Sequence, residues 1–229
     1  LLIDSGNSIG NNLERVGTIV LLGAAAPTGG LQVTLTVASG PVSLSNATAD
    51  GTTGVDAGHP SITVTIPYGA SSGTYYMYGL STTGSAIINA TAPGYASTSG
   101  TETLTPSGVV IGSVNGFGPP NIFITPLASA NQPLNISTAQ LDTSGNFIQT
   151  MALAGTASLT VSLTNTNAGV GTVPGSVSVP PGNDTSGNPL AATATFHPVA
   201  MGATMIGVTQ PAGFSIPTDG SATLTVNVQ

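Results

Sequence analysis

Apolar and small polar residues alternate in runs of five to eight along the whole chain, and clusters of Gly, Pro, Asn and Ser separate the runs. A period of two puts every second side chain on one face of an extended strand, so each run reads as a strand with one buried face. In Gln32-Val-Thr-Leu-Thr-Val37 that face is Val33, Leu35 and Val37; in Ser61–Ile66 it is Ile62, Val64 and Ile66. Helical periodicity is nearly absent. The pattern predicts strands at Val16–Leu22, Leu31–Val37, Val42–Ser45, Ser61–Ile66, Thr74–Leu80, Ala86–Ala92 and Thr101–Thr105 in the first half. In the second half it predicts Ile122–Pro126, Leu134–Gln140, Ser158–Leu163, Ser176–Val179, Thr193–Phe196, Ala203–Thr209 and Ala222–Val228. Two sets of short strands with turn signals between them imply an all-β chain of two sandwiches.

An internal repeat supports that division. Gly84-Ser-Ala-Ile-Ile-Asn-Ala-Thr-Ala-Pro-Gly-Tyr95 aligns with Gly202-Ala-Thr-Met-Ile-Gly-Val-Thr-Gln-Pro-Ala-Gly-Phe214, and Ser99–Thr105 then matches Asp219–Thr225. In this unit Pro ends the strand, Gly permits the reversal, and Tyr95 or Phe214 folds back over the end of a core. The boundary is expected after Thr105-Pro-Ser-Gly108, giving domains 1–108 and 109–229.

Charge narrows the function classes. One Lys or Arg stands against eight Asp or Glu, a net charge of −7. Nucleic-acid binding needs many cations to displace phosphate counterions, and a polybasic membrane patch needs them too. Neither is available, so no nucleic-acid partner is expected. No run approaches the roughly 18 apolar residues of a spanning helix, and no membrane insertion is expected. There is no Cys, hence no disulfide or thiol nucleophile. An acidic, Ser/Thr-rich chain with almost no cation suggests export, to a secreted or cell-surface location.

Catalysis is not expected. The two histidines, His59 and His197, each precede Pro and fall in different halves, and most of the acids adjoin Gly, Asn, Ser or Thr in turn contexts. No paired-carboxylate or triad arrangement is legible. No cofactor is expected beyond calcium, for which Asp50 and Asp56 in Asp50-Gly-Thr-Thr-Gly-Val-Asp56 are the candidates. Asp142-Thr-Ser-Gly-Asn146 and Asn183-Asp-Thr-Ser-Gly-Asn188 are also oxygen-rich, although Asp before Gly or Ser is ordinary turn chemistry. Tyr76 and Tyr78 share a face of one strand and read either as a sugar-stacking pair or as packing against a neighbouring module. Asn46, Asn89, Asn135 and Asn183 head glycosylation sequons. Arg15, beside Glu14, reads as a local surface contact.

Pro60-Ser-Ile-Thr-Val-Thr-Ile-Pro-Tyr-Gly-Ala70, Ile87–Tyr95 and Leu104–Ile111 resemble the tandem bacterial immunoglobulin-like (Big-type) repeats of large secreted and surface proteins, and Ala192–Pro198 with Gly207–Phe214 is similar to a companion repeat. The resemblance runs from about Asn12 to the end. It implies two immunoglobulin-like sandwiches outside the cell and transfers no active site. The expected function is a structural subunit of an extracellular filament, sheath or surface layer, whose partner is copies of itself. An adhesin or carbohydrate-binding spacer, meeting surface glycans, is the alternative. Sandwich edges accept added strands, and a chain without Lys leaves them weakly guarded. Thr18, Ile19, Val20, Leu21 and Leu22, preceded by a polar stretch read as flexible, are the expected donor strand.

Overall fold

The computed structural model describes residues 1–46, 57–119, 121–184 and 186–229, and every regular element among them is a strand. The first half forms β1 (Leu2–Ile3), β2 (Asn7–Gly10), β3 (Leu13–Val20), β4 (Leu31–Ser39), β5 (Val42–Ser45), β6 (Ser61–Ile66), β7 (Ser72–Gly79), β8 (Ser85–Thr91) and β9 (Thr98–Thr105). The second forms β10 (Ser107–Gly112), β11 (Ile122–Thr125), β12 (Gln132–Leu141), β13 (Phe147–Thr150), β14 (Ala152–Leu153), β15 (Leu159–Asn165), β16 (Gly171–Thr172), β17 (Ser176–Val179), β18 (Ala192–Pro198), β19 (Gly202–Thr209) and β20 (Thr223–Val228).

The first sandwich packs the sheet β1-β3-β7-β5 against β2-β9-β8-β4-β6. The second packs β10-β12-β18-β16 against β11-β20-β19-β15-β17, the same path strand for strand. In both, the strand beside the last one (β2 on β9, β11 on β20) is parallel and the other ladders are antiparallel. These are two tandem immunoglobulin-like β-sandwiches. The Asn7–Gly10 stretch, expected to be flexible, is thus a ladder strand.

Alternation sets the burial. Val33 and Leu35 on β4, Ile62, Val64 and Ile66 on β6, and Ile88 on β8 meet Leu13, Ile19, Tyr75 and Met77 from the facing sheet. The second core joins Val109, Ile111, Leu134, Ile136 and Phe196 to Val161, Ile206, Leu224 and Val226. Each large apolar side chain so buried contributes about 1.5–3 kcal/mol. The two largest ring plates lie over glycines: a Cβ at Gly17 would run into the Tyr75 ring, and one at Gly171 into Phe196.

Edges are guarded without lysine. Pro60 and Pro67 bracket β6, Pro174 and Pro180 bracket β17, and Pro119 and Pro126 bracket β11, so these edge strands are short and are flanked by residues with no N–H to offer an added strand. The edge of β10 is sealed instead. The Gln210 amide accepts from Val109 N–H at 2.7 Å and donates to Val109 C=O at 2.8 Å, imitating a neighbouring strand. Ile111 N–H donates to Ser221 C=O at 3.0 Å, and Asn121 Nδ2 donates to Ile111 C=O at 2.6 Å.

Candidate functional site

The joint between the sandwiches begins with a gap in β3. On one edge β3 pairs with β7 from Glu14 to Val20. On the other, β1 covers only Ile19 and Val20 before the chain crosses at Asp4 to become β2 in the facing sheet. That leaves the other end of β3 open, and β14 fills it, with Ala152 opposite Glu14 and Leu153 opposite Leu13. The second sandwich therefore lends a strand to the first. The longer connection between β12 and β15 supplies it, first doubling back as β13 on β12.

Side chains complete the joint. Asn183 Nδ2 donates to Glu14 Oε1 at 2.8 Å, both residues buried. Gln140 Nε2 donates to Ser8 Oγ at 2.6 Å and to Thr105 Oγ1 at 3.2 Å. Ser107 Oγ donates to Asn11 C=O at 2.5 Å, and Asn11 Nδ2 donates to Gly213 C=O at 3.0 Å. Phe214 packs against both cores, while Met151 of the second half joins the first. Sequence reasoning missed Gln140, Gln210 and the Glu14–Asn183 pair, because nothing in their local pattern distinguishes them from surface amides.

Two expectations are corrected here. Thr18, Ile19 and Val20 do not form a free donor: both edges of β3 are occupied at Ile19 and Val20, and Leu21 N–H bonds Ser71 C=O at 2.8 Å, leaving Leu22 beyond the strand. β3 receives a strand instead. Arg15 is no surface contact of Glu14. It projects from the core face of β3, where Nη1 donates to Glu102 Oε1 and Nη2 to Asp4 Oδ2, each at 3.1 Å. Asp4 Oδ2 also accepts Thr18 N–H at 3.2 Å, which pins the crossing between β1 and β2. Burial raises the Glu102 carboxyl above its ordinary pKa although Arg15 pulls it down. Burial, then the charges of Asp4 and Glu102, push the Tyr75 hydroxyl well above the usual phenol range.

The remaining candidates are scattered. Asp50 and Asp56, the calcium candidates, lie outside the described residues. Among the described residues no group of three or more His, Asp or Glu is placed to hold a metal ion. Asp142 and Asp184 head matching loops in which Oδ1 accepts two backbone N–H groups, from Ser144 and Asn146 and from Ser186 and Asn188, at 2.8–2.9 Å. These bonds, with the Asn side chains, lower both carboxyls below the ordinary Asp pKa. Tyr76 and Tyr78 do share the face opposite Tyr75, but Tyr78 is buried with Tyr76 and Ala154 beside the joint, so the pair is no open stacking platform. Of the sequons, Asn46 and Asn89 are exposed and Asn135 is half-buried. Asn183 is buried on Glu14 and cannot carry a glycan while the joint is closed. His59 and His197 are exposed on different sandwiches. Beside His197, an open groove of about 490 Å³ is lined by Asn131, Thr172, Thr193 and Thr195.

Fold and joint together define a pair of immunoglobulin-like modules locked through a lent strand. No family model matches the sequence, and no curated protein matches it. Among solved structures the chain is similar to domains 5–6 of the S-layer protein SbsC, at 15% identity over 99% of this chain and 95% of that one, with a TM-score of 0.33. It is also similar to invasin, a bacterial integrin-binding protein, at 14% identity over 100% of this chain and 39% of that one (TM-score 0.32). The Yersinia pseudotuberculosis adhesin InvE matches at 15% identity over 97% of this chain and 56% of that one (TM-score 0.28).

Proposed function

We propose that this chain is a non-catalytic structural protein of the cell exterior, a two-module subunit of an extracellular filament, sheath or surface layer whose partner is a copy of itself. The observation that carries this reading is the joint. A lent strand, buried amide and carboxylate bonds and a shared Phe214 hold successive sandwiches in one orientation, as a load-bearing or spacing element requires. The resemblance to secreted bacterial repeats and the near-absence of cations support the placement outside the cell. Negative-stain microscopy of native material tests it: filaments or sheets containing the chain are expected, and uniformly dispersed single molecules would overturn it.

The groove beside His197 favours a second reading, an adhesin or carbohydrate-binding spacer. Hydroxyl and amide groups in a shallow cleft suit sugar hydroxyls. Glycan-array binding that is lost on Thr195→Ala and His197→Ala would support this reading, and no binding would remove it.

A further inference from the structure

Large exposed apolar side chains lie at both opposite ends of the molecule, besides those such as Ile216 and Leu80 beside the joint. At the end of the first sandwich remote from the joint, Leu22 is 57% and Tyr68 71% exposed. Their loops are laced together by Ala26 N–H to Ala70 C=O at 2.8 Å and Gly69 N–H to Ala26 C=O at 3.0 Å. At the far end of the second sandwich, Leu127 is 40%, Val199 55% and Met201 71% exposed. Leu127 N–H bonds Gln229 C=O at 2.7 Å, and Gly202, next to Met201, pairs with Val228. None of the described acidic residues lies at that end: Glu14, Asp142 and Asp184 are at the joint, Asp219 bonds Phe147 N–H beside it, and Asp4 and Glu102 belong to the Arg15 cluster.

The far end of the second sandwich is the structural counterpart of the surface by which the first meets the second. Asn11 N–H bonds Thr105 C=O, the last residue of β9, just as Leu127 N–H bonds Gln229 beyond β20. Leu127 thus stands where Asn11 fastens the joint, and by the same register Ile124, exposed on β11, stands where Ser8 does. One difference is decisive. The residues of β12 whose backbone faces the β10 side are Asn135, Ser137 and Ala139, and the next in that alternation, past the end of β10, is Pro133. Proline has no N–H for an added strand, so a contact here is made by apolar side chains.

We propose that copies of this chain join head to tail, the Leu127/Val199/Met201 end of one seating on the Leu22/Tyr68 end of the next. This rests on the reading of the chain as an assembling subunit and names its contact. Such a contact between unlike surfaces does not close on itself and propagates as a filament. Sedimentation velocity of the full chain from micromolar to millimolar concentration is expected to show open-ended growth that changes little with salt. Leu127→Asp with Met201→Asp, or Leu22→Asp with Tyr68→Asp, is expected to hold the chain monomeric. An equimolar mixture of the two double variants is expected to stop at dimers, since it retains one intact contact per pair. Wild-type chain that stays monomeric, or a mixture that does not pair, overturns the proposal. Variants that assemble like the wild type overturn it while leaving the subunit reading intact. If either variant fails to fold, hydrogen exchange of the wild type decides: concentration-dependent protection confined to residues 21–26, 66–70, 124–129 and 199–202 is expected, and its absence overturns the contact.

Discussion

Arg15 is the sole Lys or Arg of the chain, and it is committed to the core of the first sandwich between Asp4 and Glu102. Removing one partner of a buried ion cluster leaves an uncompensated charge, which costs about 3–5 kcal/mol. Arg15→Met is therefore expected to lower unfolding free energy by about that much at pH 7, measured by urea denaturation. Because burial raises the Glu102 pKa, the native state holds that proton more tightly than the unfolded chain. Its contribution favours folding at low pH and is lost as pH rises through the folded value. The Arg15→Met penalty should accordingly shrink near pH 4, and a penalty that does not change with pH would refute the assignment. The Asp142 and Asp184 loops run the other way. Their lowered carboxyls stabilise the fold above the ordinary Asp pKa, and that support is lost as pH falls through the folded values. Carbon-13 NMR titration should place both midpoints below that of an unstructured Asp.

At the scale of elements, edges decide behaviour. Gln210 closes the β10 edge with one side chain, so Gln210→Ala leaves a backbone N–H and C=O without partners and is expected to cost about 1–3 kcal/mol. In the joint, Ala154→Pro removes the N–H that donates to Asn12 C=O at 3.0 Å, where the lent segment meets the start of β3. Thermal melting is expected to split into two transitions and the small-angle scattering radius of gyration to rise, as the sandwiches swing apart. Strands with clean alternation were legible, and β5, β6 and β17 have the bounds their sequence predicts, because a half-buried face is a local property. β1, β14 and β16 were not legible. Two residues carry no period, and each strand exists only because an edge elsewhere was open. β2 was misjudged for the same reason: its partner β9 comes from the opposite end of the module.

For the whole molecule, the scarcity of cations has a direct consequence. Arg15 is the only trypsin site, and its side chain is 17% exposed and held by two carboxylates. Native protein should resist trypsin, while the unfolded chain should yield two fragments, 1–15 and 16–229, by mass spectrometry. Cleavage of the native state at the rate of the unfolded one would show that the Arg15 cluster is open. Sequence alone determined the all-β class, the presence of two sandwiches and the repeated Pro-Gly corner, since each follows from a period or a turn signal set by neighbouring residues. Tertiary structure decided where Arg15 goes, that β3 receives a strand instead of giving one, and which ends stay bare. Those outcomes depend on which edges meet across the chain, and an edge carries no mark in the sequence until its neighbours are in place.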